Sequence, residues 1–232
     1  SVMPCTAKKH ELGRDDQGAD GYQDVDYSLT TRELAKMIRM AGIEFMKLED
    51  DPYDNPLGEY TGAGVIFGAT GGVMEAALRT AVEKLTGEEL IDLDFVDVRG
   101  IKGVKEAEYD LQGKKVKVAV ASGLANARII MDKVKAGEAD YTFIEIMGCP
   151  GGCVNGGGQP HVDSQVRNFI DVRAERAKGL YTLDKNAPIR KAHENPVIIK
   201  MYDDYLGVPG GEKAHHLLHT SYVNRGVNKQ AD

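Results

Sequence analysis

The sequence has no tryptophan, and its 232 residues include only three cysteines and five phenylalanines. Three is an odd and low cysteine count, which excludes a disulfide framework. No run of about 18 apolar residues occurs, so no membrane-spanning helix is expected. Basic charge is in deficit: 29 Lys and Arg stand against 36 Asp and Glu, a net charge of −7. That balance argues against nonspecific nucleic-acid binding, which draws most of its affinity from cationic side chains. No charged-then-apolar leader opens the chain. The first residue is Ser1 rather than Met, and Cys5 follows almost at once. Such a start reads as the middle of a longer protein, so the missing leader carries no evidence about location. No internal repeat is visible. What remains, 42% hydrophobic and 28% charged, is ordinary globular composition for one large domain or two small ones.

Glycine is in excess: 27 residues, above the ~7% of typical chains. The glycines cluster at 58–72 and 148–158, which marks them as local backbone devices. Residues 1–28 read as a surface loop. Thr30-Thr31-Arg32-Glu33 fits a capping box opening a helix with Leu34, Met37, Ile38 and Ala41 on one face, ended by Gly42. Residues 49–64 read as loop, Val73 to Leu85 as helix, and Leu93 to Val98 as strand. Lys115 to Ala121 alternates as a strand does, Ser122 then caps a helix ending near Gly137, and Tyr141 to Met147 is β-rich. This strand–helix–strand unit predicts an α/β fold with a parallel sheet. Asp163 is expected to cap a helix running to about Tyr181. Asn195-Pro196 opens another to about Leu206, and a last short helix holds Ala214 to Leu218. The polar tail after Arg225 is expected to fray.

Two segments concentrate the chemistry. In Met3-Pro4-Cys5-Thr6-Ala7-Lys8-Lys9-His10-Glu11, Lys8 lies about one helical turn beyond a cysteine. A cation there lowers a thiol pKa and can hold an anionic ligand. On its own this segment also fits an ordinary cysteine among surface lysines. Glu145-Ile146-Met147-Gly148-Cys149-Pro150-Gly151-Gly152-Cys153-Val154-Asn155-Gly156-Gly157-Gly158-Gln159-Pro160 is sharper. It follows a predicted strand at its carboxyl end, where open α/β sheets place their sites. Soft thiolates at this spacing suit an iron–sulfur cluster or zinc, and the glycines let a bulky inorganic ligand approach the backbone. His215 and His219 are one turn apart but lack the Glu of a zinc-protease motif. Gly68 to Gly72 lacks the Lys-Ser/Thr end of a phosphate loop. Asp203-Asp204 and Glu49 to Asp51 read as solvated faces.

Taken together, MPCTAKKHE and EIMGCPGGCVNGGGQP resemble signature segments of the iron-only ([FeFe]) hydrogenases. Gly64 to Glu75 resembles the family's glycine loop, and the stretches from Pro188 to Pro196 and from His215 to Thr220 resemble its carboxyl-terminal segment, a separate small subunit in some members. The resemblance covers essentially the whole chain. It implies parallel-sheet lobes flanked by helices with the cluster between them, followed by a helical carboxyl-terminal segment. The implied division is 1–165 for the catalytic domain, incomplete at its amino-terminal side, and 166–232 for the small-subunit-like segment. It also implies an H-cluster: a [4Fe–4S] cube bridged through a cysteine sulfur to a two-iron unit with CO, cyanide and dithiolate ligands. Carried over by position, Cys5, Cys149 and Cys153 would be three of the four cube ligands, with Cys153 the bridge. Lys8 would hydrogen-bond a cyanide, Met3 and Met147 would pack on the two-iron unit, and Glu11 would be a nearby carboxylate. Pro4, Phe67, Gly68, Gly151, Gly152 and Gln159 would line the cofactor pocket.

One departure bears on activity. The family's Thr-Ser-Cys-Cys-Pro-x-Trp segment, source of the fourth cube ligand, is absent. The expected partners are therefore an amino-terminal portion carrying that segment, and ferredoxin or accessory iron–sulfur domains as electron donor, with NAD(P) coupling left open. No nucleic-acid or membrane partner is expected, and the expected location is the cytoplasm. The segment alone is expected to be inactive. The implied reaction is reversible reduction of protons to dihydrogen. The competing readings are a non-catalytic relative that aids iron–sulfur cluster assembly and a zinc module held by three cysteines.

Overall fold

The computed structural model describes residues 1–14, 16–19, 21–54 and 58–219. The tail after Arg225 lies outside them. The chain divides into two units, Ser1–Asn195 and Pro196–Asp232.

The first segment carries more structure than the expected loop. Strand β1 (Val2–Met3) leads into helix α1 (Ala7–Glu11), a small hairpin of β2 (Gly18–Ala19) and β3 (Tyr22–Gln23) follows, and β4 (Leu29–Thr30) returns to pair parallel with β1. These strands are two residues long, too short for periodicity to reveal. Helix α2 (Thr31–Met40) starts as its sequence dictates. Thr30 Oγ1 accepts from Glu33 N at 3.2 Å, and the Glu33 carboxylate accepts from Thr30 N at 2.8 Å. Gly42, at φ 71°, ends the turn.

Helix α3 (Gly62–Ile66) begins within the expected 49–64 loop, with Thr61 accepting from Gly64 N as its cap. A tight turn joins it to α4 (Gly72–Thr86). A Cβ on Gly72 would lie 1.8 Å from the Ile66 carbonyl oxygen, so only glycine permits this turn. The expected strand at 93–98 is not formed, and Val96–Val98 is instead a single helical turn. Arginines hold the segment instead: the Leu93 carbonyl, which a ladder would use, accepts from Arg79 Nε at 2.9 Å, and the Asp94 side chain pairs with Arg99 and Arg190.

Strands β5 (Val104–Leu111) and β6 (Lys114–Ser122) form an antiparallel hairpin. Its two-residue turn places Gln112 and Gly113 both at positive φ, the geometry that matches strand twist. Helix α5 (Leu124–Lys135) crosses to β7 (Phe143–Met147), which pairs parallel with β6 from Val118↔Phe143 to Ser122↔Met147. The α/β expectation and its strand–helix–strand unit hold, with β5 adding an antiparallel edge. Ser122 is not the cap of α5; Gly123 is, and the Ser122 side chain points elsewhere. Strand β6 has two buried faces. Val116, Val118 and Val120 pack with Met74 and Leu78 of α4, whereas Ala119 and Ala121 let Ala127 and Ile130 of α5 approach closely.

The single helix expected from Asp163 to Tyr181 is two: α6 (Ser164–Arg167), capped by Asp163, and α7 (Val172–Asn186), capped by Asp171. Each aspartate claims free amides at a helix start, so the second one restarts the helix. Arg79 is fully buried between Glu75 and Asp184, at 2.7 Å from each carboxylate, and ties α4 to α7. In the second unit, α8 (Pro196–Met201) runs into one wider turn closed by Gly207 N on Tyr202 O at 2.7 Å, and α9 (Glu212–Leu218) follows.

Candidate functional site

The loop after β7 is the hub of the site. It meets the β1–α1 segment on one side and the turn between α3 and α4 on the other. Gly158 N donates to Pro4 O at 2.8 Å, Arg32 N to Gly158 O at 3.2 Å and Arg32 Nη1 to Gln159 O at 2.6 Å. A Cβ on Gly156 would stand 2.1 Å from Pro4 O, so the loop and the residue before Cys5 touch backbone to backbone. On the other side Val154 N donates to Gly68 O at 3.0 Å, and Thr70 N to Gly151 O at 3.1 Å. Gly151 and Gly152 have φ of 88° and 95°, where side-chain-bearing residues are strained. Arg176 of α7 closes the rim, donating to Val154 O and Pro160 O.

This packing sets the Cys5 segment against the loop bearing Cys149 and Cys153, and all three thiols are half-buried. Burial pushes the Cys153 thiol pKa up, the Cys5 and Cys149 thiols act in the same sense, and the Lys8 ammonium opposes them. Two segments far apart in the chain thus both act on Cys153. The donor set is all thiol, and soft thiolates are the ligands an iron–sulfur cluster takes, so the residues present fit such a group. The sequence holds no fourth cysteine.

Met3, Lys8 and Glu11 line a cavity of about 210 Å³ together with Leu12 and Val25. Lys8 and Glu11 form an ion pair across one turn of α1. Pro4 is half-buried, as is Met147 at the end of β7, where its carbonyl accepts from Gly123 N at 2.7 Å. Gly68 and Gln159 are half-buried, Gly151 and Gly152 buried, and Phe67, at the end of α3, is 45% exposed.

The residues that carry this loop are not apparent from motifs. Glu145, buried in β7, accepts from Gly71 N and Met74 N, both at 2.7 Å, and so caps α4 from the sheet. Lys105 in β5 donates to Thr70 O and Gly100 O. The Ser122 hydroxyl meets Gly151, Cys149 and Thr70. The one sequence signal is a lone glutamate inside the apolar run YTFIEIM, since a carboxylate in a buried strand needs partners.

A second group of donors lies apart from the cysteines. Among the described residues, Glu83, His193 and Glu194 offer ligand atoms within 4.8 Å of one another. Lys191 Nζ already lies 2.6 Å from Glu83 and 3.1 Å from Glu194, so an ammonium supplies the positive charge there. His215 and His219 pack ring against ring, with centroids 4.4 Å apart.

The family described as iron only hydrogenase large subunit, C-terminal domain, matches residues 1–157, and the one described as iron hydrogenase small subunit matches residues 170–225. The chain is 50% identical over 222 residues to Iron hydrogenase 1 of Clostridium pasteurianum, covering 96% of the chain and 39% of that protein. It is 34% identical over 248 residues to Protein NAR1 of Arabidopsis thaliana, covering 99% of the chain and 51% of that protein. The fold superposes on a variant of the [FeFe]-hydrogenase HydA1 from Chlamydomonas reinhardtii with a TM-score of 0.77 and 41% identity, covering 98% of the chain and 63% of that structure. The chain thus spans about two fifths to one half of the curated relatives it matches.

Proposed function

Because the chain belongs to the iron-only hydrogenase family, we propose that it forms part of the catalytic site of an enzyme that reversibly reduces protons to dihydrogen. Family membership implies an iron–sulfur cofactor. The finer reading is that Cys5, Cys149 and Cys153 hold three corners of a [4Fe–4S] cube and that Cys153 also bridges to a two-iron unit. When bound, that cluster would supply the electron-transfer and proton-reducing chemistry. The observation that carries the reading is the backbone contact that sets the Cys5 segment against the loop bearing Cys149 and Cys153 at the end of β7.

Lys8, paired with Glu11, would present an ammonium to a cyanide of that unit. Met3 and Met147 offer soft apolar surface to the two-iron unit, and Pro4 and Phe67 shape its pocket. The buried glycines Gly151 and Gly152 bring backbone to the cluster, and Gly68 and Gln159 fix the loop's two flanks. Residues 1–165 would form the catalytic part and 166–232 the small-subunit-like segment. The fourth thiolate would come from an amino-terminal portion outside this chain, and electrons from ferredoxin or accessory iron–sulfur domains. Among the described residues no helix is long and apolar enough to cross a membrane.

The likeness to Cytosolic iron-sulfur assembly component 3 of Rattus norvegicus, 31% identical over 98% of the chain, supports a second reading, a non-catalytic iron–sulfur assembly protein. That role needs the cysteines but gives no reason for the cavity that Met3, Lys8 and Glu11 line. Infrared spectra of the full-length protein separate the two readings. CO and cyanide bands are expected for the hydrogenase, and a protein that binds iron and sulfide but shows no such bands after maturation is the assembly protein. In the hydrogenase, Cys153→Ser is expected to abolish hydrogen evolution, and near-wild-type activity would overturn the cysteine assignment.

A further inference from the structure

The loop bearing Cys149 and Cys153 is held from beneath by one hydroxyl. Ser122 is the last residue of β6, paired with Met147 of β7 and 2% exposed. Its Oγ accepts from Gly151 N at 2.7 Å and donates to Cys149 O at 3.2 Å, and Thr70 Oγ1 donates to it at 3.4 Å. A serine hydroxyl has one proton and two acceptor lone pairs, so all of its capacity is used. Two of the three bonds go to the cysteine loop and the third to the turn beside it.

The left-handed backbone at Gly151 aims its N–H into the fold, towards the end of β6. Its carbonyl meanwhile accepts from Thr70 N. Both sides of this residue, midway between the two cysteines, are therefore fixed. Cys149 O also accepts from Gly152 N at 2.9 Å, so the hydroxyl braces a closed turn. Alanine in place of Ser122 leaves the buried Gly151 N–H without a partner, which a buried amide rarely tolerates.

Building on the cysteine reading above, we infer that Ser122 is a positioning residue for the cluster, setting the separation and orientation of Cys149 and Cys153. It touches neither substrate nor cofactor and acts through the loop backbone. Residues that orient metal ligands typically change metal affinity by about 10–100-fold when removed.

The test uses the full-length holoprotein reconstituted with iron and sulfide. Ser122→Ala is expected to speed iron release to a ferrous chelator by about 10–100-fold and to alter the electron paramagnetic resonance spectrum of the reduced cube. Ser122→Thr keeps the hydroxyl and is expected to restore both. Cys149→Ser in the same protein is expected to lose the cube. If Cys149→Ser keeps a wild-type cube, the cysteine reading fails and the inference falls with it. If Cys149→Ser loses the cube while Ser122→Ala matches wild type in release rate and spectrum, the inference alone is overturned.

Discussion

Lys105 and Lys8 are cations of opposite circumstance. Lys105 is buried and bonds to two carbonyls, and burial holds its pKa down to about 8 from 10.5, with Glu145 opposing. The folded state therefore releases this proton before the unfolded state does. Protonated Lys105 works against folding below pH 8, and that penalty fades as pH rises from about 8 to 10.5. At about 1.4 kcal/mol per unit the effect is on the order of 3 kcal/mol. The stability of wild type relative to Lys105→Met is expected to rise over that window in urea titrations, and a pH-independent difference would contradict it. Lys8, by contrast, sits in a cavity wall with Glu11. Lys8→Ala is expected to leave the cube in place and prevent stable insertion of the two-iron unit; normal CO and cyanide infrared bands in this variant would count against its assigned role.

Among the elements, the cysteine loop depends on contacts where a side chain cannot fit. Gly156 has an ordinary φ of −61°, so alanine is excluded there by space alone, its Cβ falling 2.1 Å from Pro4 O. Its neighbour Gly157 meets nothing within 4 Å. Gly156→Ala is expected to lift the loop off the Cys5 segment and lower the iron content of reconstituted protein, whereas Gly157→Ala binds iron normally. Equal iron content in the two variants would show that this backbone contact does not hold the site. The β5–β6–β7 sheet, whose residues take no part in that contact, is expected to keep its circular dichroism in both.

Across the molecule, packing is uneven. Strand β6 is buried on both faces, but α2 buries none of its residues, and Met37 and Met40 are 53% and 77% exposed. Leu34 and Ile38 line an apolar groove of about 630 Å³ with Ile43, Phe45 and Met46. Burying one such side chain stabilises by about 1.5–3 kcal/mol, a large fraction of a typical total of roughly 5–15 kcal/mol. Amides of the amino-terminal third are therefore expected to exchange quickly in the isolated chain, with residues 115–182 better protected. Uniformly strong protection from residue 1 onward would contradict this picture.

Local chemistry fixed several features outright. The capping box at Thr30 and Glu33, the apolar alternation of β6, the crossover helix α5 and the Cys-Pro-Gly-Gly-Cys loop at a strand's carboxyl end follow from neighbouring residues, so they were legible in the sequence. Other features depend on partners distant in the chain. Leu93 to Val98 alternates like a strand, yet Arg79, Arg99 and Arg190 bind its carbonyl and carboxylate groups and hold it as a turn. Ser122 follows a strand and precedes a helix, which locally favours a cap, yet its hydroxyl serves Gly151, 29 residues on. The sequence alone singled out three cysteines and a lysine as candidate site residues. Their meeting required the Gly156–Pro4 and Gly152–Gly68 backbone contacts, because convergence is a property of how segments pack rather than of any one segment.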